Sequence, residues 1–561
     1  FSSGNELLVI DQSGNATFTG TVAGTSFNGI PFYSSGTSMY THDVSATDNF
    51  AENNTAYGFT AMDAITTGDH NTTIGFGSGS AFTTASQNVV MGAFSMGSAV
   101  TAAQNVAIGY AAMGNADGGE AKNVAVGYNA LNELNSSTDN FNTAVGYEAG
   151  KKVSTGVKNT IIGALAGDAL TTSNNNVILG YEAATNATIG NSNVAIGFQA
   201  LYTNVAGDRN VAVGTGALTF MTSASTADTY NTAVGYQAGG AVTTGINNTI
   251  IGGLAGDALT TGTRNVAIGL NALGTEDTGS HNVAIGHQAL AVADAGADAY
   301  NVAIGSSAGV AVTTGKFNTA IGGLSMGAGV TTGNFNVALG YKALEVVTSG
   351  SHNIGLGTGA GGALTTGGEN VLLGINAGLA AISANNNVAI GHEALKTNVD
   401  GDSNVAIGYE SLKTLEPSDG HSYNVAIGMQ AGKAMTTSVR NTIIGGLAGD
   451  AITTGGDNVS LGFNSLTSNT IGNSNVAIGK DSMITNVAAD RNVAIGLGTL
   501  QNMTSATTSD TYNTAVGYAA GAAITSGTDN TLIGGLAGDS LTTGAFNVAI
   551  GRSALQAEDA H

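Results

Sequence analysis

The chain has 561 residues, of which 85 are Gly, two are Pro and none is Cys or Trp, and its formal net charge is −23 although only 9% of residues are charged. Twice the ordinary share of Gly fits collagen, disorder or a tightly turned all-β array, but collagen needs Gly at every third residue with abundant Pro, and 42% hydrophobic residues is too rich for disorder. The acidic balance argues against nucleic acid and anionic membrane as partners, the lack of Cys removes disulfides, thiolate metal sites and a cysteine nucleophile, and without an apolar run of about 18 residues nothing inserts in a bilayer as a helix.

Residues 1–53 read as a β connector or cap. The stretch ELLVIDQSGNATFTGTV (6–22) has the alternation of a hairpin turning at Ser13-Gly14-Asn15,. This segment is expected to cover the open edge of the first repeat, since a bare strand edge invites aggregation. The chain begins at Phe1 rather than Met, shows no signal peptide, and stops at His561 inside a repeat; it reads as a segment of something longer.

From residue 54 to 561 one pentad, Asn-x-x-aliphatic-Gly, recurs in 29 copies. Of its 28 spacings, 21 are 17 residues and the other seven are 18 to 21. Insertions without deletions make 17 residues the minimum that closes one coil. The extra residues are expected to bulge as loops, as at 223–230, 415–423 and 505–512. Counting from the Asn, positions 2 and 4 are usually apolar, position 4 being Ile, Val, Leu or Met in all but the first copy, where it is Tyr57, and position 3 is usually Ala, the period of a strand. Position 5 is Gly in every copy, which implies a positive φ or no room for a Cβ. The second half of a coil carries either Leu or Met at position 9 (Leu131, Leu201), or Gly at 9 with an aliphatic at 12 (Gly167 with Leu170, Gly239 with Val242). One large group at one of two places is what a shared narrow core imposes. Coils 142–230 and 424–512 are near copies of each other.

One coil buries about three aliphatic side chains, worth roughly 1.5–3 kcal/mol each, while ordering its residues costs about 1–2 kcal/mol apiece. A lone coil therefore does not fold, and stacked coils do. The expected fold is an all-β parallel β-solenoid of about 29 coils, a flat two-sided β-roll rising about 4.8 Å per coil, or about 135 Å in all. Aliphatics are not spaced for a hexapeptide helix, and Asp is too rare for a calcium β-roll. The structural ladder is expected in Asn105 and Gly109, Asn231 and Gly235, Asn248 and Gly252, and Asn265 and Gly269, the Asn amides bonding to their own copies in adjacent coils.

The pentad as it stands here (NVAIG, NTAVG, NTIIG) resembles the repeat of YadA-like trimeric autotransporter heads, and the longer unit 231–262 resembles repeats of bacteriophage tail fibres. The likeness covers about 54–561 and is specific for architecture rather than for receptor. It implies a left-handed β-roll, a homotrimer, and a place on a virion or at a cell surface. The chain departs from those heads in its 17-residue coil and shows no heptad stalk or membrane anchor.

Candidate chemistry is sparse. The eight His are scattered, with His287 and His392 at position 6 and His70, His281 and His352 at position 17. Asp168, Asp257, Asp450 and Asp539 all hold position 10; in a trimer three copies of each would converge and suit a cation, while the alternative is turn capping. Tyr110, Tyr128, Tyr147 and Tyr236 hold position 6, where a row of exposed aromatics suits sugar rings and the alternative is packing over the turn. Thr-Thr-Gly rows suggest ice binding but are interrupted. No Walker or dinucleotide motif stands in context, so no enzyme activity, cofactor or metal is expected. The expected role is structural, the shaft of a phage tail fibre that presents host contact. Its expected partners are its own copies, other fibre or tail proteins, and a host glycan or surface protein. The alternative is the passenger of a bacterial trimeric adhesin. Apolar residues on both strand faces, Val/Ile on one and Ala on the other, point to a second buried surface and so to self-association, with the Ala face read as that surface.

Overall fold

A computed structural model describes residues 49–223, 227–417, 420–504 and 508–556, together with six short strands and Thr41 ahead of them. The hairpin turn expected at Ser13–Asn15 and the centres of the three long insertions lie outside the described residues. The chain forms two compact units, Phe1–Thr261 and Gly262–His561. Each is a parallel β-solenoid with a period of about 17 residues, and no helix occurs among the described residues.

In the first unit Leu7–Ile10 pairs antiparallel with Ala16–Thr19, and Tyr33–Ser35 with Ser38–Tyr40. Ser38–Tyr40 then lies parallel beside Thr55–Tyr57, the strand of the first coil. Ser38 Oγ accepts the Asn54 N–H at 2.9 Å, the bond that an Asn side chain accepts in the later coils. From there three-residue strands succeed one another to Thr249–Ile251, each in parallel register with the next. The second unit repeats the arrangement from Val266–Ile268 to Val548–Ile550.

Outside the strand the coil is a series of turns rather than the second flat sheet of a two-sided roll. Hydrogen bonds between coils nevertheless continue around it. Val106 N–H donates to the Asn123 carbonyl in the strand, and Met113 and Asn115 N–H to the Ala130 and Asn132 carbonyls in the turns, all at 2.9 Å. The turns are tight because positions 7 and 9 take left-handed φ even without Gly, as Asn129 (53°) and Leu131 (48°) do. Such a conformation costs an L-residue roughly 1–2 kcal/mol; here bonds to the coils on both sides hold it.

The strand faces opposite to the sequence reading. Ala at position 3 points inward and is fully buried, as Ala107, Ala125 and Ala195 are, while Val and Ile at positions 2 and 4 point outward and are half exposed. The reason is volume. The interior between strand and turns is already filled by Ala at position 8 and by Leu131 or Leu170 from positions 9 and 12, so position 3 has room for a methyl group. Where position 9 is Gly, position 3 can enlarge. A Cβ on Gly167 would lie 2.8 Å from Leu170 Cδ1 and 3.0 Å from Ile178 Cδ1. The exchange of volume therefore involves position 3 of the next coil as well as positions 9 and 12.

Candidate functional site

The continuous polar feature of each unit is the Asn column. Asn105 Nδ2 donates to Asn88 Oδ1 at 3.2 Å and to the Glu120 carbonyl at 2.8 Å, while Asn105 Oδ1 accepts the backbone N–H and Nδ2 of Asn123 at 2.9 and 3.1 Å. Asn231 Oδ1 accepts from Asn248 in the same way, and Asn265 Oδ1 accepts the Asn282 N–H at 2.9 Å. Asn231 and Asn265 also close their own coils through Nδ2 to the Gly245 and Gly279 carbonyls. These amides tie a coil shut and join it to its neighbours, buried from water, where an unmet group is costly; Asn282 Nδ2, in the same column, has no partner among the described residues. Beside it runs the Gly column. Gly109, Gly235, Gly252 and Gly269 have φ of 136°, 141°, 140° and 133°. A Cβ on Gly109 would stand 2.3 Å from the carbonyl oxygen of Gly127 in the next coil. These columns hold the fold together.

The aromatics form two ladders. At the first corner Tyr110, Tyr128 and Tyr147 stack face to face, with centroids 5.2 Å apart and planes within 11° and 7° of parallel. Each ring covers its neighbour's face, so the row offers edges and hydroxyls to solvent rather than faces to a sugar. Tyr236 stands in the same column, 56% exposed. A second ladder, in the second unit, was not seen in the sequence: His281, Tyr300, Phe317, Phe335 and His352 stack with centroids 4.4 to 5.4 Å apart. Its signal was there, a ring immediately before the pentad Asn in five consecutive coils. His392 stacks on Tyr409. In the Thr rows the first Thr bonds from coil to coil, Thr66, Thr171 and Thr348 each donating Oγ1–H to a carbonyl of the next coil, while the second, as Thr67, Thr172 and Thr366, is exposed.

The carboxylates divide into three groups. Asp168, Asp257, Asp450 and Asp539 each keep one buried Oδ1 to which no group among the described residues donates. Burial raises the pKa of Asp168, Asp257 and Asp450. Glu276, Asp277 and Asp294 bring three carboxylates within 4.8 Å, a cluster the sequence did not reveal. Glu276 is fully buried and accepts the Gly279 and Ala295 N–H groups, and desolvation raises its pKa. It closes a turn just as Asn204 and Asn398 do through Gly207 and Gly401. At positions 7 and 10 of successive coils in the second unit Lys396, Glu393, Lys413, Glu410 and Lys433 form a chain of ion pairs at 2.6 to 2.7 Å. Lys413 and Lys433 hold the Glu410 carboxyl well below the usual range.

Compared with family models, with curated proteins and with solved structures, the chain matches none.

Proposed function

We propose that the chain is a structural segment of an extended surface fibre, the shaft of a phage tail fibre that carries host contact outward on a virion, built of left-handed coils in a homotrimer. The observation that carries this reading is the outward strand face. Position 4 forms an apolar column through each unit and position 2 a column of Val, Ile and Thr, with Val177 40% and Leu179 42% exposed. None of the 29 three-residue coil strands contains a charged residue. An uncharged, largely apolar strip of this extent is what a self-associating surface presents, and copies of one chain supply a partner of matching repeat. The interior supports a structural role, since its Asn amides bond from coil to coil.

The test is a charge on that strip. Leu179→Glu lies outside the coil interior, so far-UV circular dichroism stays that of the wild type, while the assembly dissociates in sedimentation velocity. An assembly of unchanged mass in this variant, and in the equivalent Leu461→Glu, contradicts the assignment of the strip as the contact.

A further inference from the structure

We propose that the first unit carries a slot for one β-gluco-configured pyranose ring, at a missing rung of the position-6 ladder. Tyr181 and Phe198 stack at 5.9 Å with planes 8° apart, so the opposite face of Phe198 looks along the ladder toward the next coil. That coil has Thr215 in place of a ring and Gly216 beside it, and the coil after it has Tyr236. These residues line one cavity of about 380 Å³, within the range of small-molecule sites. Phe198 and Tyr236 are 43% and 56% exposed.

The dimensions select the guest. Two coil steps separate Phe198 from Tyr236, about 9.6 Å at the spacing of adjacent strands. A ring placed midway sits about 4.8 Å from each wall, near the 5.2 Å that Tyr110 and Tyr128 keep. The guest must have two apolar faces. Its rim must carry polar groups, because Gln199, Gln237, Thr219 and Asp257 also line the cavity, with Phe220 as a further apolar contact. A pyranose whose substituents are all equatorial has this form, with axial C–H bonds on both faces and hydroxyls around the edge. A galactoside puts an axial hydroxyl against one wall. A nucleotide brings phosphate to a chain of net charge −23,.

Two comparisons within the molecule sharpen the assignment. Between Tyr147 and Tyr181 the ladder also lacks a ring, at Ala164, but Leu165 stands where the slot has Gly216. In the near copy of this block, Lys480 and Leu497 replace Phe198 and Thr215, so one wall is gone and the gap carries a side chain. The slot is built from one chain's residues and does not depend on the fibre reading.

The test is saturation-transfer NMR on the full chain with millimolar methyl β-D-glucopyranoside, and methyl β-D-galactopyranoside in parallel. Transfer to the axial protons of both faces of the glucoside is expected, with little to the galactoside. T215Y inserts the missing rung, a residue type this column already holds at Tyr128, and abolishes transfer. Y236A removes one wall of an exposed pair and weakens binding about tenfold, the scale of one aromatic contact. Circular dichroism verifies that both variants are folded. Absence of transfer to the wild type, equal transfer to the galactoside, or undiminished transfer in folded T215Y or Y236A overturns the proposal.

Discussion

Adjacent glycines in the second unit give the most discriminating perturbation. Gly445 holds position 5, with φ 140°, and a Cβ there would lie 2.3 Å from the Gly462 carbonyl oxygen and 2.6 Å from its carbon. Both atoms are backbone of the next coil and have no rotamer to escape into. Its neighbour Gly446 has an ordinary φ, and its Cβ would meet only the Phe463 ring at 3.5 Å. Gly445→Ala carries backbone strain of about 1–3 kcal/mol. It also displaces the bonds from Gly445 N–H to the Ile427 carbonyl and from Gly462 N–H to the Ile444 carbonyl, both 2.8 Å, each worth about 1 kcal/mol. The expected loss is about 3–5 kcal/mol, an exceptional size for one methyl group. Gly446→Ala is expected to stay within about 0.5 kcal/mol. Hydrogen exchange followed by mass spectrometry reads this locally, which suits a repeat chain whose global unfolding need not be two-state. Protection is lost around residues 424–475 in Gly445→Ala and kept in Gly446→Ala. Equal behaviour of the two variants refutes the reasoning about the Gly column.

The other predictions concern polar groups. Asn353→Ala removes the acceptor of the Asn370 N–H and Nδ2 and the donor to the Gly367 carbonyl and Asn336 Oδ1; leaving these buried groups unmet costs about 3–5 kcal/mol, and urea denaturation of the variant should show it. Lys413→Ala deletes the bridge between Glu393 and Glu410, a loss of roughly 1–2 kcal/mol for a partly buried network that thermal melts should show shrinking in molar salt. Because the folded state depresses the Glu410 pKa, this stabilisation is present above the ordinary Glu range and lost as pH falls toward the folded pKa. Asp450 behaves oppositely. Its pKa is raised by burial, so its charged form destabilises the fold at neutral pH and the penalty is relieved on acidification. Asp450→Asn should therefore melt higher than the wild type at about pH 7, with the gap closing toward about pH 4.

The period, the Asn column and the Gly column could be read from the sequence because they are constraints of backbone and hydrogen bonding, which admit one residue type. Which strand face turns inward could not. Val106, Ala107 and Ile108 are all apolar, and polarity does not say that the interior has room only for the smallest of them. Volume decides, and the volume is set by Leu131 or Leu170 in neighbouring coils. The left-handed φ of Leu131 was also hidden, since neighbouring coils impose it against local preference. Of the aromatics, Tyr110, Tyr128 and Tyr147 were legible as a row, but their face-to-face stacking, which occupies the surface a sugar needs, comes only from ring orientation. The Glu276 cluster was missed because Asp294 joins Glu276 and Asp277 from the next coil.

We propose that copies of this chain pack side by side along the outward strand face of Val, Ile and Thr. Sedimentation equilibrium of the purified chain tests it most directly. The expected result is a single species of three chain masses that persists on dilution to nanomolar concentration. A monomer mass across that range, with Val177 and Leu179 as accessible as in the isolated chain, contradicts it.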